Sequence, residues 1–413
     1  MTDVPSERRV AVVGGGPAGL IAAEELARSH VPVTVYDHSR SVGRKFLLAG
    51  RSGLNLTNGE PLDQLLARYG PAADRLADAI RAFDPVELRA WCDGLGETPF
   101  VGSSGRVFPS SWRATPLLRA WRRRLDDLGV EFRTRCSWDG FIGTSGSRFR
   151  AEDDTVFEVH PSATIMALGG ATWSRTGSDG AWVTGFEAAG VTIAPLRPAN
   201  AAVGVTWSAA FADRFQGVPL KNVGLSVGGE SARGDPVVTL GGLEGGPVYA
   251  LTAHVRHEVD RTGAVVMQVD LHPDLSVDQV LLRLSRRRPK ESTSTWLRRS
   301  LGLHAVGVGL LRECTGNHLP VDVAELADLV KAVPVRVTGT AAIARAISTA
   351  GGVSFDDLDG RFMLRARPGT FVAGEMLDWE APTGGYLLQA SFSTGVASAR
   401  GAMAWLVESS AIG

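Results

Sequence analysis

Cysteine is almost missing from this 413-residue chain: Cys92, Cys136 and Cys314 are widely spaced and odd in number. They form neither a disulfide framework nor a Cys-x-x-Cys pair, which argues against paired-thiol redox chemistry. No His-Glu-x-x-His and no Cys/His ligand cluster occurs among the eight histidines, so no metal site is expected. His254 and His257 can share a helix face but lack a third ligand. No apolar run approaches the roughly 18 residues of a membrane-spanning helix. An excess of either charge is missing too, since 43 Lys and Arg stand against 44 Asp and Glu. Arg122–Arg124 and Arg286–Arg288 lie in amphipathic stretches without interleaved aromatics and read as solvated helix faces, so no nucleic-acid partner is expected. Polar Thr2–Arg9 leads straight into an apolar core segment, which argues against a removable signal peptide and for a cytoplasmic location.

What is present begins at residue 10. Val10–Val13 is an apolar strand that runs into Gly14-x-Gly16-x-x-Gly19, with Pro17 and Ala18 inside the turn. A helix follows with Leu20, Ala23 and Leu26–Ala27 on one face, and a second strand, Val33–Tyr36, ends in Asp37. Strand, turn, helix, strand and acid in this order form a dinucleotide-binding βαβ unit. Gly14 permits the tight turn, Gly16 lets backbone approach a pyrophosphate, and Gly19 lets the helix pack on the sheet. The helix N-terminus offers unpaired N–H groups and partial positive charge to phosphates. Asp37 is placed to accept hydrogen bonds from a ribose and argues against a 2′-phosphate there.

At 413 residues the chain is too long for one core. Ser41–Asn58 reads as a loop dense in donors, suited to a polyanion. Helices are expected at Leu62–Tyr69, Ala73–Phe83, Pro85–Leu95 and Thr115–Leu128, and strands at Glu131–Cys136, Arg148–Ala151 and Ser162–Leu168. The last of these ends in Gly169-Gly170, where a parallel sheet places a ligand. From about Ala194 short β-rich runs (Ala201–Thr206, Gly224–Val227, Pro236–Leu240, Ala264–Leu271) predict an antiparallel barrel or sandwich. Helical patterns then occupy Val277–Arg286, Ser292–Leu301, Ala305–Cys314 and Val323–Val330. Beyond Pro334 a strand is expected to return the chain to the first domain. The resulting expectation is an α/β fold: a Rossmann-like domain of residues 1–193 and 335–413, an inserted antiparallel domain of 194–275, and a small helical domain of 276–334.

The C-terminal block decides between NAD and FAD. Thr370-Phe-Val-Ala-Gly374-Glu375 is a short apolar strand ending in Gly and an acid, followed by Asp378, Gly384-Gly385-Tyr386 and a helix over about Leu387–Val407. In FAD enzymes of this fold a late strand–Gly–acid unit meets the ribityl chain and pyrophosphate. A helix N-terminus at the flavin edge stabilises the negative charge of the reduced ring.

Several motifs together resemble one family. They are Gly43-Arg-Lys-Phe-Leu-Leu-Ala-Gly-Arg-Ser-Gly-Leu-Asn-Leu-Thr-Asn58, Gly105-Arg-Val-Phe-Pro109, Leu168-Gly-Gly-Ala, Thr176-Gly-Ser-Asp-Gly180, Gly351-Gly-Val353, Ala373-Gly-Glu-Met-Leu-Asp378 and Thr383-Gly-Gly-Tyr-x-x-Gln389. The set is similar to the bacterial three-domain flavoproteins called aminoacetone oxidase-like or BaiN/RdsA-like, a GR2-type architecture. The resemblance implies FAD, held by Gly14, Gly16, Gly19, Asp37, Arg44, Lys45, Asn55, Gly374, Glu375, Gly385 and Leu387. Pro17, Ala18, Leu56, Thr57, Gly169, Asp378, Gly384 and Tyr386 stand beside them. Arg44 and Lys45 can neutralise pyrophosphate, and Asn55 can hydrogen-bond the flavin edge. One departure is that the family's stretch often reads Gly-Arg-Cys-Asn, whereas Ser52-Gly53-Leu54-Asn55 has no thiol.

No second Gly-x-Gly-x-x-Gly occurs, so a dedicated NAD(P)H domain is not expected. The resemblance leaves two reactions open. In one, a small primary amine such as aminoacetone is oxidised and O2 is reduced to H2O2. In the other, NAD(P)H supplies electrons for reduction of a carbon–carbon double bond. A non-catalytic flavin-binding protein is a third class. Trp173, Tyr249, Trp379 and Tyr386 lie beside glycine-rich segments and are candidates for lining the substrate pocket. No residue stands out as the catalytic base.

Overall fold

A computed structural model describes residues 9–50, 53–175 and 177–410. Arg51, Ser52 and Thr176, each inside an expected motif, and most of Thr2–Arg9 lie outside the described residues. The chain divides into two compact units, residues 1–197 with 348–413, and residues 198–347.

The first unit is built on a five-stranded parallel sheet in the order Thr370–Val372, Ala163–Met166, Val10–Val13, Val33–Asp37, Glu131–Thr134. The two strands flanking Val10–Val13 are buried along their whole length, as is that strand itself. A fully parallel sheet is covered on both faces, and its inner strands are correspondingly apolar without alternation. Pro17 opens the helix Pro17–Arg28, where its missing N–H costs nothing. The C-terminal helix Tyr386–Ser410 crosses it closely, because a side chain at Gly395 would run into the Ala18 carbonyl. Asp84 caps Pro85–Asp93 by accepting from the Val86 and Glu87 N–H groups at 2.8 and 3.0 Å.

Three expectations change in this unit. Ser41–Asn58 is not a loop throughout: Gly43, at φ 72°, launches the helix Arg44–Ala49, and Thr57–Asn58 pairs with Arg106–Val107. The single strand expected over Glu131–Cys136 is two. Arg135 takes φ 60°, so the parallel strand stops at Thr134 and Cys136–Ile142 starts an antiparallel sheet with Gly146–Ala151. A third strand of that sheet, Val156–Val159, carried no expectation. Its Phe157 stacks on Phe149, which stacks on Tyr36 at 4.5 Å.

The second unit contains two four-stranded antiparallel sheets. One runs Val237–Thr239, Gly242–Glu244, Val203–Gly204, Gly339–Thr340, and the other Glu230–Gly234, Val223–Val227, Val265–Asp270, Val333–Val337. The strand beyond Pro334 therefore belongs here. Val333, Val335 and Val337 alternate into this unit's core, and the chain leaves the unit only at Ile347. Helices Ala209–Phe215, Gly246–Ala250 and Thr252–Thr262 interrupt the β-rich stretch. Helices Val277–Leu284, Thr293–Leu301, Ala305–Cys314 and Val323–Lys331 follow, and they share one apolar cluster with the strands.

Candidate dinucleotide site

An open cleft of about 800 Å³ lies at the carboxyl ends of the central strands of the first unit. Its floor is the Gly14–Ala18 turn. Gly14 sits at φ 107°, and a side chain there would collide with the Ala167 carbonyl at the end of the neighbouring strand. Gly19 is bare for a related reason, since its face touches the Gly14 carbonyl. Gly16 differs from both: nothing lies within 4 Å of where its side chain would be, so its bare face is open to the cleft. The N-terminus of the helix Pro17–Arg28 points its N–H groups to the same place.

Asp37 ends the second strand and stands in the cleft wall. Its Oδ2 accepts from the Gly15 N–H at 2.8 Å and its Oδ1 from the Ser39 N–H at 2.7 Å. The carboxylate thus ties the glycine turn to the loop after the strand. Arg44 and Lys45 both line the cleft, with different commitments. Lys45 Nζ is paired with Glu375 Oε2 at 2.6 Å and donates to Thr172 Oγ1 at 2.7 Å. Glu375 Oε1 in turn accepts from the Thr349 N–H at 3.0 Å, and Thr349 Oγ1 accepts from the Ala171 N–H at 2.8 Å. This chain of bonds joins four separate segments at the bottom of the cleft. Arg44 has no partner among the described residues and is the uncommitted cation of the site.

Gly169 and Gly374 line the cleft beside them. Trp182 Nε1 donates to the Gly169 carbonyl at 2.9 Å, and a side chain at Gly374 would come within 2.8 Å of Ala18 Cβ. Gly384 and Gly385, at φ 147° and 99°, turn the chain into the C-terminal helix. Gly385 is pressed against the Thr57 backbone, and Asn58 Nδ2 donates to the Gly384 carbonyl at 3.2 Å. Thr57 Oγ1 donates to Gln389 Oε1 at 2.6 Å, so Leu56 and Thr57 are buried against this helix start together with Tyr386. Leu387 follows, half-buried. Burial, then hydrogen bonding to Glu60, pushes the Tyr386 phenol up to about 12. Asp378 lies outside the cleft lining, and burial, reinforced by Glu380, raises its carboxyl.

Asn55 is not in the cleft wall, yet its Oδ1 is buried without a hydrogen-bond partner among the described residues. A buried acceptor left unmade costs free energy, and an N–H on a bound ring would relieve it. The open face of Gly16, the unpartnered Arg44 and this orphaned acceptor all fit a dinucleotide bearing a flavin.

Of the residues expected to line a substrate pocket, Trp379 and Tyr386 both pack on the Tyr69 ring. Trp379 is buried in the core, its Nε1 donating to the Gly374 carbonyl at 2.9 Å, and it meets Tyr69 edge-on. Trp173 is exposed, at φ 63°. Tyr249 belongs to the second unit, on Gly246–Ala250. Ser178 of the Thr176–Gly180 motif lines the cleft, whereas cleft-lining Tyr36, His38, Ser39, Cys136 and Trp138 were not singled out from sequence. Tyr36 alone carried a signal, as the inward residue before Asp37. Trp138 and Cys136 reach the cleft only through the bend at Arg135.

A parallel sheet with a glycine turn, a strand-end acid and a helix N-terminus at its carboxyl edge defines an α/β dinucleotide-binding protein. The match of the HI0933-like protein Rossmann domain to residues 8–401 shows that this chain belongs to the HI0933-like family. It is an FAD-dependent oxidoreductase. The 3-dehydro-bile acid delta(4,6)-reductase of Clostridium scindens is 26% identical over 95% of this chain and 98% of its own. The ribosomal RNA dihydrouridine synthase of Haemophilus influenzae is 22% identical over 94% of this chain and 96% of its own. The 3-ketosteroid delta1-dehydrogenase of Sterolibacterium denitrificans shares the fold, with a TM-score of 0.53 at 13% identity, covering 96% of this chain and 100% of that one. No helix among the described residues is long and apolar enough to cross a membrane, and no three or more His, Cys, Asp or Glu side chains there are grouped as metal ligands.

Proposed function

We propose that this chain is a reductase of a carbon–carbon double bond conjugated to a carbonyl in a ring, with NAD(P)H as electron donor. The observation that carries the reading is the end-to-end match to a bile acid delta(4,6)-reductase. The dihydrouridine synthase, also matched end to end, is named for a product in which a ring double bond next to a carbonyl is saturated. When bound, FAD supplies two-electron transfer, as a hydride, from the reduced nicotinamide to one carbon of the double bond, and a proton from solvent on the other carbon completes the saturation.

The protein's part is to hold and polarise. In this reading the Gly14–Gly19 turn and the helix N-terminus after it hold the pyrophosphate, with Arg44 neutralising it. Asp37 accepts from the ribose, and Asn55 Oδ1 accepts from a ring N–H. Glu375, fixed by Lys45 and the Thr349 N–H, sets the turn after Thr370–Val372. The N–H groups at Gly385–Leu387 lie at a helix start, where they favour negative charge on the reduced ring.

The test is anaerobic bleaching of the yellow holoenzyme. NADPH or NADH should bleach it, and an enone steroid or a uracil-containing RNA should restore the colour without oxygen. Bleaching by aminoacetone, with H2O2 formed on readmitting air, would instead make it an amine oxidase.

A further inference from the structure

We propose that residues 283–299 of the second unit form a docking surface for the phosphate backbone of RNA. Residues 277–300 carry Arg283, Arg286, Arg287, Arg288, Lys290, Arg298 and Arg299 against only Asp278 and Glu291, in a chain whose charges balance overall. The expected helix face for Arg286–Arg288 is not there. The helix stops at Leu284, and the arginines stand on the exposed loop that leads to Thr293.

Partners sort these cations into two groups. Glu291 is committed to Arg299, whose Nε and Nη2 meet its two oxygens at 2.8 and 2.9 Å. Arg287 lies over the Trp296 ring at 4.6 Å and donates to the Glu291 carbonyl at 3.0 Å. Arg283, Arg286, Arg288, Lys290 and Arg298 are all exposed and make no side-chain hydrogen bond or ion pair among the described residues, although Arg288 still acts on the Glu291 carboxylate through space. In the other arginine run only Arg123 is exposed and unpaired among the described residues. Arg122 pairs with Asp126 at 2.9 Å and covers the Phe132 ring, and Arg124 pairs with the buried Glu24 at 3.1 Å. Elsewhere Arg28, Arg68, Arg135, Arg150, Arg261 and Arg400 each reach a carboxylate.

Five exposed cations without an ion pair on one loop and its flanking helix turns repel one another, and a polyanion relieves that cost while releasing its own counterions. Four of the five are guanidinium groups, whose planar fork matches a phosphodiester. An anionic membrane suits the surface less well. An interfacial helix must insert a broad apolar face, whereas Val280 and Leu284 on one helix and Trp296, Leu297 and Leu301 on the other are already buried in the unit's core, which leaves only Val277 and Leu282 exposed there. The choice of RNA over DNA rests on the double-bond reading above, since uracil presents such a bond beside a carbonyl; the docking itself does not.

The experiment is fluorescence anisotropy of a labelled RNA hairpin titrated with FAD-loaded enzyme across a range of salt. The same hairpin sequence as duplex DNA and phosphatidylglycerol vesicles are run in parallel. Wild type should bind the RNA. The variant R283S/R286S/R288S/R298S should bind at least about tenfold more weakly near 0.1 M salt, with a salt slope lower by about three to four. R119S/R123S, which removes two exposed arginines from the first unit, should bind as wild type. All three proteins should keep their FAD and bleach equally with reduced nicotinamide, which separates lost docking from misfolding and from failure of the reductase reading. RNA binding that survives the fourfold change, no binding by wild type, or tighter binding to vesicles or duplex DNA than to RNA would overturn the proposal.

Discussion

Glu24 shows how much a single side chain can hold. Only 1% exposed, it accepts from Trp91 Nε1 at 3.0 Å and Trp121 Nε1 at 2.7 Å through one oxygen, and from Arg28 and Arg124 through the other. A buried carboxylate is tolerated when every lone pair has a donor. Glu24→Ala strands two indoles and frees two cations, and it is expected to cost about 3 kcal/mol, read as a fall in Tm of several degrees. Glu24→Gln, which keeps one acceptor for the indoles, should cost less. Sequence spacing offers Glu24 only the i,i+4 partner Arg28; its other donors arrive from positions 91, 121 and 124. Gly16 was fully legible, because its task is local. Gly16→Val puts a side chain into the open cleft and should yield folded, colourless protein, whereas Gly14→Ala meets the Ala167 carbonyl and should lower Tm as well. The thiols offer a pH test. Burial pushes Cys92 and Cys314 up to about 12 and raises Cys136. Only the thiolate reacts, so iodoacetamide labelling of the native protein at pH 8 should be slow at Cys92 and Cys314 and rise about tenfold per pH unit up to their pKa. Cys136 lines the cleft, and FAD should protect it, as peptide mass spectrometry can follow.

At the scale of the element, strongly periodic segments matched expectation and short ones did not. Helices at 62, 73, 85 and 114 begin within a residue of where their apolar spacing puts them. The helix Arg44–Ala49 buries only Phe46 and has no periodicity to read, and the break at Arg135 depends on a left-handed residue that sequence does not flag. The same helix brings Lys45 to Glu375, 330 residues away, a pairing no local pattern encodes. Because Lys45 is consumed there, its loss should act through Glu375. Lys45→Met leaves a half-buried carboxylate facing the cleft without its cation, and FAD affinity is expected to fall at least tenfold, measured by titrating apoprotein and following flavin fluorescence. Lys45→Arg should recover part of that affinity if charge at this position is what matters.

For the whole molecule, composition change located the second unit but not its edges. The three valines of Val333–Val337 read equally well as a strand of either unit, and only pairing with Val265–Asp270 assigns them. Barrel-like strands and the four helices after them were expected as separate domains, yet both feed one apolar cluster. Residues 198–347 expressed alone should therefore unfold in a single cooperative transition by circular dichroism, with strands and helices melting together.

The order of strands in the parallel sheet also says when the enzyme becomes an enzyme. Thr370–Val372 pairs with Ala163–Met166, and Gly374, Glu375 and Ser391 of the C-terminal helix complete a cleft whose other walls come from residues between 13 and 45 and between 136 and 178. During synthesis the glycine turn and its helix leave the ribosome first, while the strand and helix that cover them are still some 330 residues from being made. Contacts of such separation form slowly, so the nascent chain passes through a long interval with an apolar sheet edge uncovered and no competent flavin site. A chain cut short before residue 370 is left at that stage for good.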